Sequence, residues 1–105
     1  MKVEEIKEKI IPILKQAGVI RSAIFGSYAR GEETATSDLD ILVDLPEDKS
    51  LLDLIGLQQT LEESLHIKVD VLTYDYLHPR LRDYIMHDQI PILWAKIVQF
   101  LSTIF

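Results

Sequence analysis

The chain contains no cysteine, and its basic residues are in the minority. Without cysteine there is no disulfide framework, no thiolate metal site and no thiol nucleophile. With 11 Lys and Arg against 17 Asp and Glu, the formal net charge is −6. Proteins that hold long nucleic acids by their phosphates carry a basic footprint, so tRNA or poly(A) is disfavoured as a substrate. Also missing is any apolar run that reaches the ~20 residues of a membrane span, and the opening Met1-Lys2-Val3-Glu4-Glu5 is not a signal peptide. A cytoplasmic protein without membrane contact is expected. No internal repeat or low-complexity segment occurs. What remains is ordinary globular composition, 48% hydrophobic and 27% charged over 105 residues, which suits one domain with a modest core.

Val3, Ile6, Ile10, Ile13, Leu14 and Ala17 share one stripe of a helix that Gly18 stops. A strand from Val19 to Phe25 follows and ends at Gly26-Ser27, with a second helix starting near Tyr28. Glu32 to Ser37 reads as a loop back into a strand from Asp38 to about Leu45, broken by Pro46-Glu47-Asp48-Lys49. Ser50 with Asp53 three residues later is a capping-box pattern. It opens a helix from Leu51 to about Leu65, with Leu51, Leu54, Ile55, Leu61 and Leu65 expected in the core. Ile67 to Thr73 is a third strand, Leu81 to His87 a short helix, and Gln89 to Trp94 an edge strand or extended arm. The order predicts an α+β domain with α/β-type alternation, a small sheet with helices packed on it.

The chemistry concentrates between Gly26 and Asp44. Asp38 and Asp40 are spaced i, i+2 in a strand-like run, and the period of two puts both carboxylates on one face. At an effective dielectric near 20 and roughly 4 Å, two such anions repel by about 4 kcal/mol, so a proton, a basic neighbour or a divalent cation is needed there. Oxygen ligands suit Mg²⁺, which takes one or two carboxylates and leaves positions for substrate phosphate. Gly26 permits close backbone approach to a phosphate, and a helix beginning just after it aims N–H groups at the same anion. Alone, Gly26-Ser27 reads as a plain strand-to-helix turn; the carboxylates downstream argue for more. Asp70, flanked by Val69 and Val71, has a metal shared with Asp38 and Asp40, an exposed strand face or a salt bridge to explain it.

Gly26-Ser27, ten residues, then Asp38-x-Asp40, set within Gly-Ser-x-Ala-Arg-Gly and Ser-Asp-x-Asp, resembles the signature of the minimal nucleotidyltransferases. These are small members of the DNA polymerase beta-like nucleotidyltransferase superfamily, and Asp70 in Lys68-Val69-Asp70-Val71-Leu72 fits the third carboxylate expected on a later strand. The likeness runs roughly from the first helix to Leu93. It implies a nucleotidyltransferase fold around a mixed three-stranded core sheet. It also implies ATP bound with its outer phosphates on Gly26, Ser27 and the following backbone. Asp38 and Asp40 would hold the nucleotide Mg²⁺ and share a second ion with Asp70, the two ions lying ~3.5–4 Å apart in such sites. Asp70 would then activate an acceptor hydroxyl. Arg30 would steady the phosphates or tie the loop to Asp44, the structural role being favoured, and Asp44 would close its strand.

Small proteins with this motif resemble the MNT antitoxins, which are encoded beside a HEPN ribonuclease toxin and transfer AMP from ATP to a tyrosine of that toxin. Size and negative charge fit a protein acceptor, hence a HEPN-type partner. An aminoglycoside-type nucleotidyltransferase is the enzymatic alternative, and a binding module that silences its partner by contact alone is the non-enzymatic one. Arg82 and His87 show the Arg-x4-His spacing of the HEPN ribonucleases themselves, but that family is all-helical, so they are read as surface residues of the last helix. His66 and His78 are likewise read as surface or loop residues. Ile97, Phe100, Leu101, Ile104 and Phe105 form an apolar stripe in a tail, 97–105, that must dock on its own core, on a second copy as a homodimer, or on the partner.

Overall fold

The computed structural model describes residues 2–77, 79, 80, 87 and 89–94. Helix α1 spans Val3–Gln16 and buries Ile6, Ile10 and Leu14, with Val3, Ile13 and Ala17 partly covered, so the expected stripe faces the core. Its end is set by Gly18, at φ +81°. The Gly18 N–H donates to the Lys15 carbonyl and the Val19 N–H to the Leu14 carbonyl, a Schellman closure that satisfies two otherwise orphaned acceptors. That closure holds Val19 in a turn, which is why strand β1 covers Arg21–Phe25 rather than beginning at Val19.

Helix α2 is short, Gly26–Arg30, and is anchored by the buried Tyr28. Strand β2 covers Leu39–Asp44, helix α3 Leu51–Leu65 and strand β3 Val69–Thr73, followed by a 3₁₀ turn over Tyr74–Tyr76. The capping box of α3 is complete: the Ser50 N–H donates to Asp53 Oδ2 at 2.7 Å, and the Asp53 N–H donates back to Ser50 Oγ. Its core side is Leu57, Leu61 and Leu65, with Leu54 partly buried. Leu51 and Ile55 were expected in the core but are 66% and 45% exposed. Ile55 is rotated about 100° from Leu54 and about 200° from Leu57, and Leu51 lies in the first turn, ahead of the stripe.

Strand β4, Ile90–Trp94, completes a mixed four-stranded sheet in the order β3-β2-β1-β4. It is the edge strand anticipated for this segment, and it enlarges the three-stranded core. Strand β1 lies antiparallel to both β2 and β4, whereas β2 and β3 run parallel. Pro91, which offers no N–H to a ladder, is tolerated because β4 is an edge, and the register there shifts between Ser22 and Ala23. Helices α1 and α3 pack together over one face, burying Ile24, Leu39, Ile41, Val43, Val69 and Val71. The alternate residues Phe25, Asp40, Leu42, Asp70 and Leu72 therefore project from the other face. The helix expected over Leu81–His87, including Arg82, falls outside the described residues except for His87, which is exposed, as is His66. His78 and the tail 97–105 also fall outside them.

Candidate active site

Strand pairing brings the carboxylates together. Asp40 sits opposite Phe25 on one side and opposite Asp70 on the other, so Asp40 and Asp70 are direct neighbours on the face away from the helices. Strands in a sheet lie about 4.8 Å apart, which leaves two carboxylates side by side. Asp38 lies just ahead of β2. It is placed by Leu39, fully buried, whose N–H donates to the Lys68 carbonyl at 2.9 Å and pins the start of β2 to the start of β3. The loop leading to it is self-braced: Thr34 N–H donates to Ser37 Oγ at 2.8 Å, and Ser37 N–H donates to the Thr34 carbonyl at 3.1 Å.

The electrostatics follow from this crowding. Burial holds the Asp40 carboxyl above the usual carboxylate range, and the charges of Asp70 and Asp38 push it further the same way, with Arg30 opposing. Asp38 has a basic neighbour, Lys68, with Nζ 3.7 Å from Oδ2. Lys68 escaped the sequence reading, yet its signal was there: two residues before Asp70, it shares that residue's face by the period of two.

Gly26 ends β1 with φ +72° and turns the chain into α2 beside Asp40. Ser27 is in the first turn of α2, where its carbonyl accepts from the Glu32 N–H at 2.9 Å. Gly26, Ser27, Asp38, Asp40 and Asp70 thus lie toward one end of the sheet. Arg30 Nε donates to Glu32 Oε2 at 3.0 Å, bracing the loop that follows α2. Asp44 stands at the other end of β2, about 13 Å from Asp40 at ~3.3 Å per residue. There it closes the strand opposite Arg21, whose guanidinium lies 3.8 Å over the Tyr74 ring.

An all-oxygen donor set with an excess of negative charge suits a hard dication. Among the described residues, no three Asp, Glu, His or Cys side chains converge closely enough to hold a metal ion. Asp38 reaches toward Lys68. Two clefts of about 360 Å³ lie elsewhere, one lined by Ile13, Ala17 and Leu57 and the other by Pro46, Leu51 and Thr73. Among the described residues, no helix is long and apolar enough to cross a membrane.

The nucleotidyltransferase domain pattern matches residues 7–91. A candidate protein adenylyltransferase of Methanocaldococcus jannaschii, MJ0435, is 56% identical over 93 residues, covering 89% of this chain and all of the relative. Among solved structures, a candidate minimal nucleotidyltransferase superposes with a TM-score of 0.77 at 37% identity, over 87% of this chain and 96% of that one. The MNT antitoxin from Shewanella oneidensis, solved in complex with its tri-AMPylated HEPN toxin, shares the fold. Its TM-score is 0.69 at 20% identity, over 93% of this chain and 77% of that one. The sheet, the turn at Gly26-Ser27 and the paired carboxylates at its edge thus stand in a chain that belongs to the nucleotidyltransferase domain family and is a nucleotidyltransferase.

Proposed function

We propose that this chain, as a single cytoplasmic domain, transfers AMP from ATP to a tyrosine hydroxyl of a HEPN-type ribonuclease toxin and so acts as its antitoxin. The observation that carries the reading is the in-register pair Asp40 and Asp70, with Asp38 beside them and the Gly26-Ser27 turn adjacent. Support for the acceptor class comes from relatives: MJ0435 is named for protein adenylylation, and the Shewanella oneidensis neighbour was solved with an AMPylated HEPN toxin.

The Gly26-Ser27 turn takes the outer phosphates of ATP against its backbone. Asp38, Asp40 and Asp70 are the residues that would hold Mg²⁺, two ions in this reading, and bound Mg²⁺ neutralises phosphate charge and acidifies the acceptor hydroxyl. Asp70, the register partner of Asp40 on the neighbouring strand, is the residue assigned to the acceptor hydroxyl in this reading. The tyrosine oxygen forms a bond to the α-phosphorus as the bond to the bridging oxygen breaks, and pyrophosphate leaves with that electron pair. The tyrosine proton passes to Asp70 and then to solvent. Positioning and charge neutralisation carry the rate, since little covalent chemistry falls to the protein.

The test is to mix the chain with a HEPN toxin, ATP and Mg²⁺, then read toxin mass and RNA cleavage. An added AMP mass on a tyrosine with loss of cleavage is the expected outcome. Neutralisation that proceeds equally well without nucleotide would overturn it in favour of silencing by contact.

A further inference from the structure

We infer that Gly26 is a positioning residue for Asp40, kept free of a side chain by the Asp40 carboxylate itself and not only by the approach of a phosphate. Phe25 is the register partner of Asp40, and the turn at φ +72° folds the next residue directly over the Asp40 side chain. A Cβ placed on Gly26 would overlap Asp40 Oδ2 outright and lie 3.2 Å from Cγ and 3.4 Å from Cβ. The Asp40 side chain from Cβ through Cγ to Oδ2, not just its tip, lies along the glycine. Gly31 shows the contrast: it also has a left-handed φ, +69°, yet a Cβ there would meet nothing within 4 Å. The backbone conformation therefore explains Gly31 completely and explains Gly26 only in part.

The consequence is a wall. With the Gly26 Cα on one side and Asp70 on the next strand, Asp40 has a narrow slot, and a side chain at position 26 must displace its carboxylate from that slot. For its functional meaning, the inference rests on the reading of these carboxylates as a cation site; the packing itself does not.

Asparagine tolerates left-handed φ but carries a Cβ, so Gly26→Asn separates the two explanations. Melting temperatures of the wild type, Gly26→Asn, Asp40→Ala and the double variant form a cycle. If Asp40 is the obstacle, Gly26→Asn lowers the melting temperature substantially, and at least half of that loss disappears once Asp40 is truncated. A Gly26→Asn protein that folds only with Asp40→Ala gives the same answer. Equal losses in both backgrounds, or failure to fold in both, would overturn the inference. Titration with Mn²⁺ in the absence of nucleotide is the second readout, with an affinity loss of about 10-fold or more expected for Gly26→Asn. Unchanged Mn²⁺ affinity would overturn the positioning role. A wild type that binds no Mn²⁺ would count against the cation reading and leave the packing claim to the cycle, which decides it alone.

Discussion

Asp40 carries a conflict of charge: partly buried, it neighbours two other carboxylates across and along the sheet. A carboxyl held above its ordinary range favours the folded state when protonated. Its contribution is full below the unfolded value near 3.8 and is lost as pH rises through the folded one. In EDTA, the wild type is therefore expected to lose stability relative to Asp40→Asn as pH rises from about 4 toward neutrality. Thermal melts of the two proteins across that window check this, and parallel curves would refute it. Asp53 has the opposite sign: its hydrogen bonds with Ser50 hold it below 3.8, so its capping contribution disappears only in acid. For activity, replacing both Asp38 and Asp40 by Asn is expected to drop nucleotide transfer by orders of magnitude while the circular dichroism spectrum stays native. Full Mg²⁺-dependent transfer by the double variant would end the assignment of these residues.

Helix α3 shows which kind of information a single sequence holds. Both its ends could be read, because Ser50 and Asp53 signal the start by chemistry local to four residues. Its buried face was read too broadly, because Leu51 and Ile55 are apolar like Leu57, Leu61 and Leu65 but lie off the stripe those three define. Leu61→Ala is expected to cost about 2–5 kcal/mol in urea unfolding, as a fully buried side chain leaves a cavity. Leu52→Lys, at 78% exposure, should stay within about 0.5 kcal/mol of wild type. Ser50→Ala should fall between them, at about 1 kcal/mol, through loss of the cap. Reversal of the first two would mean that α3 sits differently on the sheet. The same limit applied to the site. Gly26, Ser27, Asp38, Asp40 and Asp70 stand out by spacing and residue type. Lys68 shares a face with Asp70 by the period of two, but its pairing with Asp38 and the contact of Gly26 with Asp40 are set across strands, where local pattern carries no signal.

The molecule as a whole divides its labour between the two faces of its sheet: α1 and α3 with their apolar stripes on one, the carboxylates on the other. Cutting after Lys96 removes the apolar tail and keeps every residue of the four strands, of α1 to α3 and of the carboxylate site, so AMP transfer to a soluble acceptor is expected to persist while self-association or partner binding weakens. Light scattering and a transfer assay on the truncated chain check this, and insolubility with unchanged assembly wherever it folds would return the tail to the core. The parallel pairing of β2 with β3 has a kinetic consequence. Neighbouring β1 and β2 pair through a short connection, but β3 can reach β2 only after the α3 crossover has closed a long loop. During refolding, amides of β1 and β2 should gain protection from exchange before those of β3, with nucleotide binding appearing in the later phase. Simultaneous protection would refute that order. Until the crossover closes, the chain holds Asp40 without Asp70, so catalytic competence is a property of the paired β2 and β3 and not of either strand alone.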